Sequence, residues 1–327
     1  MTKNHPLFSV CMVTYNHEDF ISKSIESVVK QKHNYTYELL ISDDCSQDNT
    51  ASIIKKYETK YPDIIKANIN KTNVGPTQNY FQTLNRCKGK YILFCDGDDC
   101  WEQGKVKDQI SFLENNKDFG FCYSKMEVID RTKDNSTYFG YYPEDLKQVL
   151  YENPTPSSTM CFKTELWEKY FKQINPIKQR WLLEDYPFII FCFANSKGYY
   201  FSQTLAKYNL ISGSLSHPKS LEKAFTYECS IRDVRKYFSD KYKTPVRLKS
   251  NYEIYLELTK PLERKFIKNF ASEANKLYIT QNFNDRKLFL LSKNRFSNHI
   301  YRIIPKLVTL LKAILPYGIV RFLQKRK

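Results

Sequence analysis

From Leu7 onward, short apolar runs alternate with stretches whose apolar residues recur every three or four positions. Leu7–Thr14 is a compact apolar run, and Phe20–Lys30 then carries helix-spaced apolar residues. Tyr37–Ser42 is a second run, and Ala51–Tyr61 puts Ile53, Ile54 and Tyr57 on one face, as an amphipathic helix does. Ile64–Asn68 is a third strand candidate. Pro76–Cys87 reads as a helix with Tyr80, Phe81 and Leu84 apolar, and Tyr91–Cys95 as a fourth strand. Strands alternating with helices predict right-handed crossovers and an α/β domain around a mostly parallel sheet. Polar clusters follow the strands: Tyr15-Asn16-His17-Glu18, then Asp43–Thr50, then Asp96-Gly97-Asp98-Asp99. Ligands bind at the carboxyl ends of strands in such sheets, so these clusters describe one rim and one site.

The pattern changes after residue 120. Phe119–Ser124 predicts a strand, Val128–Pro156 is polar, tyrosine-rich and loop-dominated, and Ser157–Lys163 predicts another strand. Thr164–Phe171 predicts a helix with Thr164 as its N-cap. Glu184 and Asp185 precede the apolar segment Pro187–Ala194, which places them at a helix N-terminus. Gly198–Leu210 is strand-like, and the chain is charged and helical in texture from about Lys219 to Phe296. The expected division is a catalytic domain over 1–217, with a nucleotide-binding half to about 120 and an acceptor half from 121. A helical extension over 218–299 and a tail over 300–327 follow. In that tail Ile303, Ile304, Leu307, Val308, Leu310 and Leu311 keep helical spacing, beside seven Lys or Arg and no acidic residue. A basic amphipathic helix of this kind suits an anionic membrane face.

Composition narrows the chemistry. The 327 residues are 42% apolar and 15% aromatic, enough for a core and unlike a disordered chain. Lys and Arg number 51 against 35 acids, a net charge of +16 that predicts an anionic partner. Much of that excess lies in the helical C-terminal third, so nucleic acid is not the expected partner. Nine cysteines without Cys-x-x-Cys spacing argue against a zinc site or a disulfide framework, and for reduced thiols in a cytosolic protein. The opening residues have no apolar h-region, so no signal peptide is expected, and no window offers the ~18 uninterrupted apolar residues of a membrane span. His5, His17, His33 and His299 have no metal-ligand spacing and read as surface residues.

Against this background the Asp96-Gly97-Asp98-Asp99 knot stands out. Carboxylates packed this closely raise one another's pKa unless a cation sits between them. Oxygen-only ligands on a short turn suit magnesium or manganese, which keep positions open for substrate phosphates.

Five motifs then occur in order: Val13-Thr14-Tyr15-Asn16, Ile41–Thr50, Asn73–Asn79, Cys87–Trp101 and Leu182-Leu183-Glu184-Asp185. In this the chain resembles family 2 glycosyltransferases of the GT-A fold, of the bacterial surface-polysaccharide type, from about Val10 to Ser216. The resemblance implies an inverting, metal-dependent transfer from a nucleotide-diphosphate sugar to a hydroxyl of a lipid-linked glycan. It implies that Val13, Thr14 and Tyr15 line the nucleotide pocket, that Asp44 accepts a hydrogen bond from the base, and that Asp43 holds the turn. Asn79 belongs to the same donor-binding set. Asp96 and Asp98 would be the acids of the DxD motif: Asp96 facing the ribose or metal, Asp98 holding the cation on the diphosphate. Asp99 would contact the donor sugar. Asp185 would be the general base, with Glu184 positioning the acceptor or the base. Trp101 would pack beside the sugar site.

Two departures from the family pattern bear on the diphosphate. Gln78 stands before Asn79 where many relatives have Arg. Tyr208-Asn209-Leu210-Ile211-Ser212-Gly213-Ser214 matches a Tyr-Arg-x-His-x-x-Ser segment but lacks its Arg and His, with His217 or Lys219 as substitutes. Tyr138, Tyr141 and Tyr142 are candidates for stacking on an acceptor sugar, although core packing accounts for tyrosines equally well. The expected location is the cytoplasmic membrane's inner face, bound peripherally. The alternative reading is a catalytically inactive glycan- or nucleotide-binding subunit of an assembly complex.

Overall fold

The computed structural model describes residues 5–130, 135–211, 214, 218, 220–251, 253–255 and 257–258. His217, Lys219, His299 and the basic tail over 300–327 lie outside the described residues. Nine strands form one sheet in the order β3-β2-β1-β4-β8-β6-β9-β5, with β7 paired to β6. The first half is built from β1 (Phe8–Thr14), α1 (Ile21–Val29), β2 (Tyr37–Asp43), α2 (Thr50–Lys60), β3 (Ile65–Ile69), α3 (Pro76–Leu84) and β4 (Tyr91–Phe94). These four strands pair in parallel. The chain then forms β5 (Cys100–Trp101), α4 (Lys105–Asn115), β6 (Phe119–Asp130), β7 (Asn135–Phe139) and α5 (Leu146–Glu152). After these come β8 (Cys161–Lys163), α6 (Thr164–Ile174), α7 (Pro176–Gln179), α8 (Tyr186–Asn195), β9 (Lys197–Asn209) and α9 (Leu221–Tyr242). In this half β8 runs antiparallel to β4 and β6, while β6 and β9 pair in parallel.

Helices cover both faces of the sheet. Phe8, Val10, Met12, Leu39, Ile41 and Leu93 pack with Ile21 and Ile25 of α1, Ile54 of α2 and Ile110 of α4. On the other face Phe94 meets Tyr80 of α3, and Phe162 meets Phe188 of α8, at ring separations of 5.2 and 4.7 Å. Burial on both sides is why β1, β2 and β4 read as continuous apolar runs. The order β2-β1-β4 also reverses direction beside β1, which opens a crevice at the carboxyl ends of β1 and β4.

Three expectations are corrected. Val128–Pro156 is not loop-dominated: β6 continues to Asp130, β7 pairs back along it, and α5 follows. Every residue of β7 is exposed, so neither face supplies the apolar alternation that marks a strand. Ser157–Lys163 is a 3-10 turn over Ser157–Thr159 followed by the three-residue β8. Thr164 does not cap α6; it is the first helical residue, and its hydroxyl donates to Gly89 O at 2.5 Å.

The chain divides into two compact units, and the first contains Ser230–Leu248 as well as the residues before 218. Within it Trp181 packs on Tyr237 and Phe238 at 5.2 and 5.8 Å, and Leu182 N donates to Ser230 Oγ at 2.9 Å. The segment entering α8 is braced by these contacts. Among the described residues no helix is long and apolar enough to cross a membrane.

Candidate active site

Three strand ends build the site. At the end of β1, Thr14 is buried and its Oγ1 lies 3.1 Å from His17 Nδ1. Asn16 adopts a left-handed φ of 56° and its Oδ1 accepts from Gln47 N at 2.8 Å, which ties the first loop to the second. Tyr15 is 42% exposed, a large aromatic surface at the rim, while Val13 is half-buried.

The second loop is self-supporting. Asp43 is fully buried and accepts from Ser46 N at 2.9 Å and from the Ser46 hydroxyl. Asp44 is also buried; Val74 N and Asn70 Nδ2 donate to Oδ1 at 2.8 and 3.0 Å, and Gly75 N to Oδ2 at 2.9 Å. Asp44 thus shapes the 70–75 loop, and its Oδ2 keeps acceptor capacity beyond that bond. Asn79 is tied into the scaffold. It is 2% exposed, its Oδ1 accepts from Ser42 Oγ and Asn70 Nδ2, and its Nδ2 donates to Ser42 O.

The third loop carries the acids. Gly97 N donates to Val13 O at 2.9 Å, and Ser24 Oγ donates to Gly97 O at 2.9 Å, so the turn is pinned beneath β1. A Cβ at Gly97 would stand 2.3 Å from Thr14 Oγ1 and 2.5 Å from Thr14 Cβ. Gly97→Ala is therefore expected to destabilise the protein by about 1–3 kcal/mol, read as a lower urea midpoint at unchanged slope. An unchanged midpoint would show that the turn has room. Asp98 lies 3.8 Å from His17 Nε2, and its carbonyl accepts from Asn209 Nδ2 at 2.6 Å. Through that bond Asn209 anchors the acid loop by its main chain. Trp101 is 5% exposed with its Nε1 donating to Phe94 O at 3.0 Å, so it supports β4.

Facing this loop, Asp185 caps α8 by accepting from Tyr186 N at 2.6 Å. Burial above all, then the charges of Asp98 and Asp185, pushes the Asp96 carboxyl up to about 8. Burial, Asp185 and Asp96 push Glu184 up to about 8. Asp99 is raised well above the carboxylate range by burial, Asp98 and Asp96. Asp185 is raised by burial, with Ser157 and Tyr186 N favouring its charged form. The acids of two distant segments thus feel one another, and the structure brings Asp96, Asp98, Asp99, Glu184 and Asp185 into one electrostatic cluster.

The cluster suits a cation. Among the described residues no three His, Cys, Asp or Glu side chains form a ready metal cage. A magnesium-type ion takes one or two carboxylates and completes its shell with water and phosphate, so Asp98 with Asp96 suffices on the protein side. Asp99 Oδ1, Glu184 Oε2 and Tyr80 OH are buried without hydrogen-bond partners, and Tyr80 senses Asp185, Asp96 and Glu184. Unpartnered polar atoms beside raised carboxyls fit a site for a cation and a polar ligand.

A stability consequence follows. Asp96 and Glu184 hold protons in the native protein that the unfolded chain has released between ~4 and 8, so cation-free stability falls as pH rises through that window. In EDTA the melting temperature is expected to be lower near pH ~9 than near pH ~6, and manganese is expected to raise it more at the higher pH. Equal manganese increments at both would remove these carboxyls as the cation's seat.

Residue-level reading of the sequence did not single out two residues that stand against the acids. His17, read as a surface residue, is only 20% exposed and touches Thr14 and Asp98; its position directly after Tyr15-Asn16 was the available signal. Tyr80, read as apolar helix face, points its hydroxyl toward the acids. Ser157 and Ser158, read as strand, form the 3-10 turn instead, and the Ser158 hydroxyl donates to Met126 Sδ at 3.3 Å. His33 is likewise no surface residue: its ring packs within 5.1–5.6 Å of Phe8, Tyr35 and Tyr37, remote from the acids in sequence and role.

Comparison with known proteins agrees with this geometry. The chain is 30% identical over 130 residues to an uncharacterised protein of Mycobacterium tuberculosis, covering 39% of this chain and 38% of that relative, so it spans about two fifths of the relative's length. It is 28% identical over 221 residues to TuaG of Bacillus subtilis, covering 67% of this chain and 85% of the relative, whose name assigns it provisionally to glycosyl transfer in teichuronic acid biosynthesis. The solved structure of S. aureus TarS 1-349 with UDP-GlcNAc superposes at a TM-score of 0.53 and 21% identity, over 81% of this chain and 75% of that one, which supports the GT-A fold. The family model for glycosyl transferase family 2 matches residues 9–194, which hold every acid described above, and the chain belongs to that family.

Proposed function

We propose that this protein is an inverting, metal-dependent glycosyltransferase that moves a sugar from a nucleoside-diphosphate donor to a hydroxyl of a lipid-linked glycan in bacterial surface-polysaccharide synthesis. The observation that carries this reading is the electrostatic meeting of the Asp96–Asp99 loop with Asp185 at the carboxyl ends of β1 and β4. Tyr15, exposed at the rim, offers a stacking face to the base, and Asp44 Oδ2 an acceptor. Asp98 and Asp96 would hold a divalent cation, which when bound would neutralise charge on the departing diphosphate. Asp99 meets the donor sugar. Asp185 takes the acceptor hydroxyl's proton during in-line attack on the anomeric carbon, and Glu184 beside it positions the acceptor. One displacement with no covalent intermediate inverts configuration.

Tyr138 and Tyr142 are 64% and 58% exposed beyond β6 and are suited to stacking on an acceptor sugar. The membrane-facing part of the reading, at the cytoplasmic face, rests on the basic residues over 300–327. The test is a panel of nucleotide sugars. At least one is expected to release nucleoside diphosphate with manganese and none in EDTA. No hydrolysis and no thermal stabilisation by any donor with manganese would overturn the reading.

A further inference from the structure

Three braces on the segment that carries Asp185 come from α9. Trp181 rests on Tyr237 and Phe238, Leu182 N donates to Ser230 Oγ at 2.9 Å, and Arg235 Nε donates to the Tyr186 hydroxyl at 3.3 Å. Glu184 and Asp185 lie between the second of these anchors and the third. The match to the glycosyl transferase family 2 model ends at residue 194, before α9 begins. Ser230–Leu248 nevertheless belongs to the same compact unit as the acids.

Arg235 is the charged member of this set. It is half-buried, and its Nη2 donates to Tyr151 O, in the last turn of α5, at 2.6 Å. The Tyr151 hydroxyl in turn accepts from Arg247 N at 2.7 Å and donates to Arg247 O at 3.2 Å. Packing α9 against α5 and α8 needs only a long apolar side chain, which methionine would supply without a charge to desolvate. What arginine adds is a planar fork that holds a fixed partner on each of the two helices at once.

Tyr186 carries the fork's effect to the base. It is 2% exposed and held at both ends. Its hydroxyl donates to Leu150 O at 2.6 Å and accepts from Arg235 Nε, while its main-chain N donates to Asp185 Oδ1 at 2.6 Å. Phenylalanine would fill the same core position, so packing alone does not account for the hydroxyl. The rotation of the Asp185 carboxylate follows Tyr186 N, and the place of that N follows where the ring is anchored. We propose that Arg235 is a positioning residue, which through Tyr186 fixes the Asp185 carboxylate relative to the donor-binding acid loop. The proposal rests on the glycosyl-transfer reading with Asp185 as base. Small shifts matter there, because a 1 Å misplacement of a reacting group costs about 10²-fold in rate.

Full-length wild type, Arg235→Met, Arg235→Lys, Tyr186→Phe and the Arg235→Met/Tyr186→Phe double variant are compared in manganese-dependent turnover of the donor, each beside its melting temperature. Arg235→Met is expected to lower kcat by about 10–100-fold while donor KM stays within about twofold, since the acid loop is unaltered. Tyr186→Phe keeps the main-chain bond to Asp185 and is expected to lose at least as much, because the bond to Leu150 O goes too. The double variant is expected to fall no more than about twofold below the worse single one, because both changes break the same chain of contacts. Arg235→Lys keeps the charge without the fork and decides the matter if the methionine variant does not fold. It is expected to show a smaller loss of kcat at a wild-type melting temperature. A wild-type kcat in either Arg235 variant, a loss that appears in KM instead of kcat, or losses that multiply in the double variant overturns the positioning role with glycosyl transfer intact. Absence of turnover in the wild type overturns the underlying reading instead.

Discussion

Asp185→Asn is expected to slow glycosyl transfer by about 10²–10⁴-fold, the range for losing a general base. The substitution is chosen to separate chemistry from folding. Asp185 accepts Tyr186 N at the start of α8, and asparagine caps a helix about as well as aspartate. Removing its charge also relieves Asp96 and Glu184, whose carboxyls it raises, so the cation-free protein should be no less stable. On the proposed assignment the opposite loop holds the donor, so donor affinity is expected to stay near wild type. The measurement is single-turnover transfer with saturating donor, alongside donor binding by calorimetry. A rate within about fivefold of wild type, with binding intact, would exclude Asp185 as the base.

Asp98→Ala is expected to cost at least about 10³-fold, because a catalytic cation supplies several kcal/mol of charge stabilisation at the leaving diphosphate. The loss should coincide with the loss of manganese binding. Chelation supplies the second arm of a cycle: EDTA should lower wild-type activity by the same factor and leave Asp98→Ala unchanged. Losses that multiply would show that cation and carboxylate act independently. Asp98 differs from its neighbours in a way that favours this role. Asp99 is buried, whereas Asp98 is partly open, beside His17 at 3.8 Å, on a loop whose carbonyl Asn209 fixes.

The architecture of the first half was legible because local and global signals agree there. β1, β2 and β4 are buried on both faces, so their apolar runs survive without context, and α1 and α3 show one apolar stripe each. The acidic clusters at strand ends were legible too, since a turn of consecutive aspartates has no packing explanation. The second half was harder. β7 is exposed on both faces and β8 is three residues long, so neither carries a period to detect. The turn holding Ser157 and Ser158 resembles a strand in sequence because its residues are small and run into the apolar β8. Its 3-10 geometry comes from Pro156 and from the clamp at Thr159 O, whose donors lie more than 45 residues away.

The residue order by itself determined the alternation of elements, the family and the identity of the acids, because these depend on neighbours within one turn or one strand. Only the tertiary structure decided which polar residues are spent on the scaffold and which stand against the acids. Asn79 and Trp101 look like site residues in sequence, yet each is buried with its polar atoms bonded to the chain. His17 and Tyr80 look ordinary in sequence, yet they stand against the acids. The physical reason is that a hydrogen-bonding group's role is set by what remains unsatisfied after folding, and that accounting closes only when segments as distant as Asp96 and Asp185 are brought together.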